Sequence, residues 1–288
     1  MASATDLSAN TSEQKVTQAA LARGDRVFAT LRSPSLLADL QTKYPASQLR
    51  VHELDVTHEG KIGPAFVQAV AAFGRIDAVF NNAGFGVISE AEGIDDANAR
   101  SLFEVMFWGA SYVTREAVRT FREQVPPGGK LFQVASRTSI EAAPGVAHYS
   151  AAKAALEYLT EAYLQEVDKS WNIWFTLLEP ALFRTAAPSR NIIEPQHPAY
   201  KNPSLAITKS RNVLQDLSKF DGNPAKLARV VLELSDITDE KAWPFRVPLH
   251  RVALEAARRK GRHLLEAAET QAFRSDDVYF GKGGTSLL

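Results

Sequence analysis

The stretch that decides the fold is residues 130–153, which read KLFQVASRTSIEAAPGVAHYSAAK. Lys130–Ala135 is a short apolar run typical of a buried strand, and His148–Val167 has the apolar spacing of a helix. Ser136 follows the strand directly. A strand that leads through a loop into a long helix is the repeating unit of an α/β protein.

The same alternation extends along the chain in both directions. Further strands are predicted at Arg26–Leu31, Leu49–Val56, Ile76–Phe80, Ile173–Leu178 and Phe245–Leu249. Further helices are predicted at Ala65–Phe73, Leu102–Glu123, Pro224–Leu234 and Arg251–Ala272. Near-continuous apolar strands joined by helices predict a doubly wound parallel sheet, an α/β fold covered on both faces. In such sheets, ligands bind outside the carboxyl ends of the strands.

The composition excludes several classes of protein. The 288 residues carry 33 Lys+Arg and 33 Asp+Glu, and this charge balance argues against a nucleic-acid partner. The chain has no cysteine, which excludes thiol catalysis and disulfide frameworks, and no metal site is expected. The N-terminus lacks the pattern of a secretory signal, and no run is long enough to span a bilayer. We therefore expect a cytoplasmic protein without a membrane partner.

The pattern predicts a single main domain. Residues 1–15 are atypical, residues 16–274 form the predicted domain, and residues 275–288 form a flexible tail. Within the domain, residues 187–222 are rich in proline and polar residues and are too long for an ordinary connection. We interpret this segment as an insertion that covers the substrate.

Two side chains spaced by four residues carry the candidate chemistry. Tyr149 and Lys153 share one helix face, so both can act on the same ligand. A lysine ammonium favours the phenolate and should lower the Tyr149 pKa, which suits a proton donor to a carbonyl. Ser136 lies 13 residues before the tyrosine and could stabilise developing negative charge on the carbonyl oxygen. The alternative is a surface Tyr and Lys beside a turn-forming Ser.

These residues, with Asn81-Asn82-Ala83-Gly84 before them and Glu179-Pro180-Ala181-Leu182-Phe183-Arg184-Thr185 after them, resemble the short-chain dehydrogenase/reductase family. The resemblance covers residues 16–270 and implies a Rossmann-type fold with NAD(P)-dependent interconversion of a carbonyl and a secondary alcohol. It implies that Ser136, Tyr149 and Lys153 are catalytic. It also implies cofactor contacts at Asn82, Tyr149, Lys153, Leu182 and Thr185, although Ala181 replaces the family's usual Gly. A small, largely apolar substrate and a homodimer or homotetramer are expected, with the subunits meeting through the helices of Arg115 and Tyr149.

Three further residues bear on the cofactor. Asp55 matches the family's acidic residue beside the adenine, although a strand-end Asp also caps helices. Arg32 follows the second strand of the family's order, where an Arg suits a 2′-phosphate, so it favours NADP(H) over NAD(H). Arg115 matches a basic position that approaches the site in relatives. A solvated charge is the alternative for both arginines.

The start of the chain departs from the family. Relatives begin with a strand and a Gly-rich turn that holds the pyrophosphate at a helix N-terminus. Here no glycine precedes Gly24. The helix that follows this turn in relatives is still predicted, with Thr11 as its N-terminal cap. Three explanations are open: a mispredicted or alternatively spliced start, which we favour, a poor substitute strand at residues 4–9, or a relative that binds cofactor weakly.

A second departure lies in Glu104-Val105-Met106-Phe107-Trp108-Gly109. Relatives have an Asn where this chain has Met106, and that Asn holds a water that relays protons to the lysine. A thioether is at most a weak acceptor, so slower proton delivery is expected. The competing hypotheses are a non-catalytic binding or scaffold protein and an epimerising relative. Nucleotide binding separates the first of these from the enzyme.

Overall fold

The computed structural model describes residues 11–185, 191–276 and 278. The strands are β1 Val27–Leu31, β2 Leu49–Glu53, β3 Ala78–Asn81, β4 Val87–Ile88, β5 Gly129–Val134, β6 Ile173–Pro180, β7 Ile192–Ile193 and β8 Arg246–Leu249. The α-helices are α1 Ser12–Arg23, α2 Ala38–Lys43, α3 Glu59–Phe73, α4 Asp96–Phe103, α5 Ala110–Glu123, α6 Arg137–Ile140, α7 Ala147–Glu166, α8 Ala206–Gln215, α9 Pro224–Ser235 and α10 Arg251–Asp276. Residues 1–10, including the substitute strand considered at 4–9, lie outside the described part.

The sheet is parallel throughout, as predicted, and helices cover both faces. Four strands run in the order β3-β5-β6-β8, and β1 pairs with β2. Successive residues of β5 point to opposite faces, as the period of a strand requires. Leu131 packs with Phe121 of α5, whereas Phe132 packs with Val231 of α9. The α/β doubly wound fold is therefore confirmed.

The two groups of strands are separated by a cavity. Among the described residues, β1 pairs only with β2, and β3 pairs only with β5. A cavity of about 1440 Å³ lies between the free edges of β1 and β3, and residues of α1, α3, β5 and α9 line it too. It extends from Thr30 and Asn82 at the carboxyl ends of the strands to Arg26 and Asp77 at their amino ends. No strand of the described residues lies between β1 and β3.

Helix α1 lies beside this cavity and keeps its predicted cap. The Thr11 hydroxyl accepts the Gln14 N–H at 3.2 Å, and Gly24 ends the helix at a φ of 100°. Leu21 packs with Ala29 and Leu49 of the first strand pair. The helix therefore folds as the sequence predicts, although the described residues place no strand before it.

Three local features differ from the predicted elements. The helix expected at Leu102–Glu123 begins at Asp96 and contains a π-helical turn, Glu104–Gly109. Helix α3 begins at Glu59, six residues before the predicted start. Strands β4 and β7 form an unpredicted pair, which joins Val87 to Ile192 in the insertion. No helix in the described ranges is long and apolar enough to cross a membrane.

Candidate active site

Ser136 stands where the sequence places it, two residues past the carboxyl end of β5. It caps α6, since its hydroxyl accepts the Thr138 N–H at 3.1 Å, and its side chain is buried. Its N–H donates to the Ser139 hydroxyl at 3.1 Å, which completes a capping box. The cap fixes the orientation of the Ser136 hydroxyl.

Helix α7 brings Tyr149 and Lys153 to the same edge of the sheet. The Tyr149 phenol lies beside the Ser136 side chain, which acts to lower the pKa of the phenol. One turn further on, the Lys153 Nζ donates to the Val134 carbonyl at 2.7 Å, and Lys153 is 4% exposed. The structure therefore brings the three predicted catalytic residues together at the carboxyl end of β5.

Burial shifts the pKa of both titratable groups in this trio. Desolvation lowers the pKa of Lys153 to about 8, although the Glu157 carboxylate one turn away opposes the shift. Desolvation raises the pKa of Tyr149, and the Ser136 side chain only partly offsets it. The expectation of a lowered Tyr149 pKa is therefore wrong. Burial of the phenol outweighs the effect expected from the lysine charge, and the Lys153 ammonium donates to a backbone carbonyl.

An apolar wall lines the tyrosine. Met106 is fully buried in a cluster with Val87, Leu102 and Ala152, and Tyr149 packs against this cluster. Met106 belongs to the π-helical turn, and its Cγ lies 3.5 Å from the position of a Cβ on Gly84. The thioether thus fills the space between the Asn82-Ala83-Gly84 turn and the tyrosine helix. Single π-helical turns inside α-helices are frequent at functional sites.

Arg32, Asp55 and Asn82 line the carboxyl-end mouth of the cavity. Burial raises the pKa of Asp55, but bonds from the Thr57 N–H and hydroxyl, with the Arg32 charge, outweigh it and leave the pKa lowered. Arg32 and Asp55 both line this mouth, near enough for the Arg32 charge to act on the Asp55 pKa. The Asn82 amide donates to the Glu13 carboxylate at 2.7 Å, so the first turn of α1 is joined to the end of β3.

Of the three remaining predicted cofactor contacts, two lie at the carboxyl edge of the sheet and one does not. Leu182 and Thr185 follow the carboxyl end of β6, the strand next to the one that leads to Ser136, and Thr185 is buried. Arg115 is not brought to this edge. Its guanidinium pairs with Glu59 at 2.7 Å on the outer face of α5, half exposed, and lies over the Tyr112 ring. The alternative considered for Arg115, a solvated charge on the helix surface, describes its position.

An ionic network of one arginine and two buried carboxylates lies behind the trio and was not predicted from the sequence. Arg246 of β8 bonds Glu157 at 2.8 Å and Glu179 at 2.6 Å, and both carboxylates are at least 95% buried. The Ser139 hydroxyl donates to Glu157 and accepts from the Ser136 N–H. The network thus connects β6, β8 and α7 to the loop that holds Ser136. The only sequence signal is that Glu157 lies one turn after Lys153 and Glu179 ends an apolar strand.

Glu179→Gln is expected to flatten the dependence of stability on pH. Burial, with the neighbouring Glu157, raises the pKa of Glu179 to about 7, and Arg246 opposes this. The folded chain then holds the proton more tightly than the unfolded chain, whose Glu pKa is about 4.3. The stabilisation is complete below that value and is lost as pH rises through 7, by at most about 4 kcal/mol. Gln cannot ionise, so the variant should lose less stability between pH 5 and pH 8 in urea titrations.

The matched control for this change is Glu161→Gln. Glu161 is 44% exposed and reaches Arg246 at only 3.5 Å, so its replacement should leave the wild-type pH profile in place. Identical profiles for wild type and Glu179→Gln between pH 5 and pH 8 would contradict the assignment.

Comparison with known proteins decides the family. A family model described as short chain dehydrogenase matches residues 14–193. The chain belongs to the short chain dehydrogenase family. Its members use NAD(P), and the chain is an oxidoreductase that acts on CH–OH groups. The fold that brings Ser136, Tyr149 and Lys153 together is therefore that of a dehydrogenase.

Relatives and a solved structure agree with this assignment. The chain is 32% identical over 223 residues to an uncharacterized oxidoreductase, C162.03, of Schizosaccharomyces pombe, covering 72% of this chain and 74% of the relative. It is 31% identical over 255 residues to oxidoreductase calM of Penicillium decumbens, covering 86% and 82%. A short-chain dehydrogenase structure from Streptomyces avermitilis is 27% identical and superposes with a TM-score of 0.84, covering 95% of this chain and 96% of that one. The similarity to the short chain dehydrogenases extends well beyond the motifs.

Proposed function

We propose that the chain interconverts a carbonyl and a secondary alcohol on a largely apolar small molecule, with NADP(H) as cofactor. The observation that carries the proposal is that the Tyr149 phenol lies beside the Ser136 side chain, with Lys153 one turn away at the same edge of the sheet. A phenol and a hydroxyl that converge on one point match the needs of a carbonyl oxygen that gains a proton.

The residues fit NADP(H) at two of its parts. Arg32, beside Asp55, would hold the 2′-phosphate of the ribose, and Lys153 would hold the nicotinamide ribose. The pyrophosphate is matched less well, because Glu13 places a carboxylate in the first turn of α1 and no Gly-rich turn is described there. When bound, the cofactor supplies or accepts a hydride.

The protein's own residues account for the proton and the orientation. In the reducing direction, the Tyr149 O–H donates its proton to the substrate oxygen, and the Ser136 hydroxyl donates a hydrogen bond to the same oxygen. Lys153, when charged, stabilises the phenolate that remains. Met106 provides no hydrogen bond for a relay water, so the proton that restores Tyr149 arrives slowly.

The segment after residue 190 supports an apolar substrate held away from water. The Gly86 N–H donates to the Asn191 side chain at 3.0 Å, and β7 pairs with β4. Helix α8 crosses the loop before Tyr149, where the Ser210 hydroxyl donates to the Pro144 carbonyl at 2.7 Å. With the apolar cluster around Met106, this arrangement favours the interpretation of the 187–222 insertion as the substrate cover; residues 186–190 lie outside the described part.

The experiment that tests the proposal has two steps. Purified protein is titrated with NADPH while protein and nucleotide fluorescence are followed, and then apolar ketones are added while NADPH absorbance is measured. Saturable binding and ketone-dependent loss of NADPH are expected. Absence of binding at millimolar NADPH would contradict the enzymatic proposal for this chain and favour the non-catalytic alternative.

Arg32→Ala is expected to weaken NADPH binding about tenfold or more and to leave NADH binding nearly unchanged. The reason is the loss of a charge-assisted bond to the 2′-phosphate, worth about 1.5–3 kcal/mol. Arg50→Ala is the matched control, because Arg50 is an exposed arginine on the neighbouring strand β2. An equal loss for both nucleotides in fluorescence titrations would show that Arg32 does not select the cofactor.

A further inference from the structure

The outer part of helix α10 projects from the body of the protein. Its first turns are anchored, since Ala253 and Ala256 are fully buried and Arg259 pairs with Glu141 at 2.7 Å. Every residue from 258 to 275 is exposed. At a rise of 1.5 Å per residue, residues 260–275 extend about 24 Å. An unsupported helix of this length is marginally stable in water, so a covering surface would stabilise it.

One face of the projecting helix is apolar. Residues spaced by three and four make up this face: Leu254, Ala257, Gly261, Leu264, Leu265, Ala268 and Ala272. Leu264 and Leu265 at its centre are 59% and 66% exposed. The small residues on either side of the two leucines would let a second helix approach closely.

The charges along the helix specify the direction of a partner helix. Four basic residues precede the two leucines, at Arg258, Arg259, Lys260 and Arg262, and two of them also pair within the chain, Arg258 with Glu255 and Arg259 with Glu141. Glu266 and Glu269 follow the leucines. A parallel copy would place like charges side by side, whereas an antiparallel copy places the basic half against the acidic half.

We propose that α10 binds the α10 of a second copy of this chain in an antiparallel pair, with the twofold axis between Leu264 and Leu265. In this register Leu264 lies at the level of the partner's Leu265, and Gly261 at the level of the partner's Ala268. Arg258 lies on the same flank of the pair as the partner's Glu269, within two residues of its level. Each contact occurs twice, as an isologous interface requires. This surface is separate from helices α5 and α7 and does not depend on the proposed catalytic function.

Light scattering on the full chain, as it elutes from a size-exclusion column, measures the oligomeric state. Replacing both leucines, Leu264→Glu with Leu265→Glu, should halve the mass of the particle, because four acids would then face each other across the axis. The fold should survive, since both side chains are exposed. Thr270→Glu is the matched control, because Thr270 is exposed on the opposite face of the helix. A monomeric wild type, or an unchanged mass for the double variant, would overturn the proposal.

Cysteine cross-linking tests the direction of the pair, and the natural chain contains no cysteine that could interfere. Gly261→Cys is sterically free, since a Cβ there meets nothing within 4 Å. Under mild oxidation, a mixture of Gly261→Cys and Ala268→Cys chains, one carrying a size tag, should form the mixed disulfide-linked species. Each variant alone should link poorly. Efficient self-linking of each variant, with no mixed species, would indicate a parallel pair and contradict the antiparallel register.

Discussion

Replacing residues 1–10 by an apolar strand and a short Gly-rich turn is expected to stabilise the folded chain and to raise its midpoint of urea unfolding. The cavity of about 1440 Å³ between β1 and β3 leaves the facing edges of both strands without a strand partner among the described residues. Each buried backbone group without a partner costs about 1–3 kcal/mol, and each buried Val or Ile contributes about 1.5–3 kcal/mol. Ordering the new strand costs about 1–2 kcal/mol per residue, so the net gain is smaller than the sum.

The direction of such a strand follows from α1. The Glu13–Asn82 bond places the start of α1 at the carboxyl end of β3. A strand that leads through a turn into Thr11 therefore runs parallel to both neighbours, in agreement with the rest of the sheet. Five residues of Val and Ile span about 17 Å, which suits the five residues of β1.

The measurement is urea unfolding, with both the midpoint and the slope recorded. The apolar replacement should raise both, because more surface is buried in the folded state. A polar replacement of the same length, made of Ser, Asp and Gly, is the control and should leave the midpoint near that of the unmodified chain. Equal midpoints for the two replacements would show that the cavity does not accept a strand.

The same replacement should tighten NADPH binding. A Gly-rich turn lets the backbone N–H groups at the start of α1 reach the pyrophosphate, and the helix dipole favours the negative charge there. Glu13 opposes this, so combining the replacement with Glu13→Gln should increase the affinity further.

Local sequence signals were enough to predict most of the fold. All six predicted strands are present, because each apolar run is bounded by turn residues whose effect is local. The pairing of β4 with β7 could not be predicted in this way, since each strand has two residues and about a hundred residues separate them. The π-helical turn at Glu104–Gly109 also has no distinct apolar period. These features depend on tertiary packing.

The candidate site, too, could be predicted from local sequence only where it does not depend on tertiary packing. Tyr149 and Lys153 could be placed together because a helix face is a local property. The Tyr149 pKa was predicted in the wrong direction because burial depends on the whole fold. Arg246, with its two carboxylates, was missed because its partners come from other strands and helices. Arg115 matched a family position, but its ion pair with Glu59 depends on how α3 packs against α5.

Tyr149→Phe is expected to lower turnover by about 10²–10⁴-fold, the usual contribution of a general acid, with NADPH affinity little changed. Phenylalanine keeps the ring that packs against the Met106 cluster, so the fold and the apolar wall should remain. Tyr158→Phe is the matched control, because Tyr158 is on the same helix and 76% exposed. A Tyr149→Phe enzyme that keeps a tenth or more of the wild-type rate would contradict the assignment of the proton donor.

The pH dependence of turnover separates the role of Tyr149 from that of Lys153. The Lys153 pKa lies near 8 because the ammonium is buried, so the charge is present below pH 8 and is lost above it. If that charge stabilises the phenolate, the rate of carbonyl reduction should fall as pH rises through 8. The Lys153→Met variant keeps the side-chain length but not the charge. It should reduce carbonyls slowly at every pH and show no fall in rate near pH 8. A wild-type rate that is flat from pH 7 to pH 9 would show that the Lys153 charge does not assist the proton transfer, whereas Tyr149 could still be the donor.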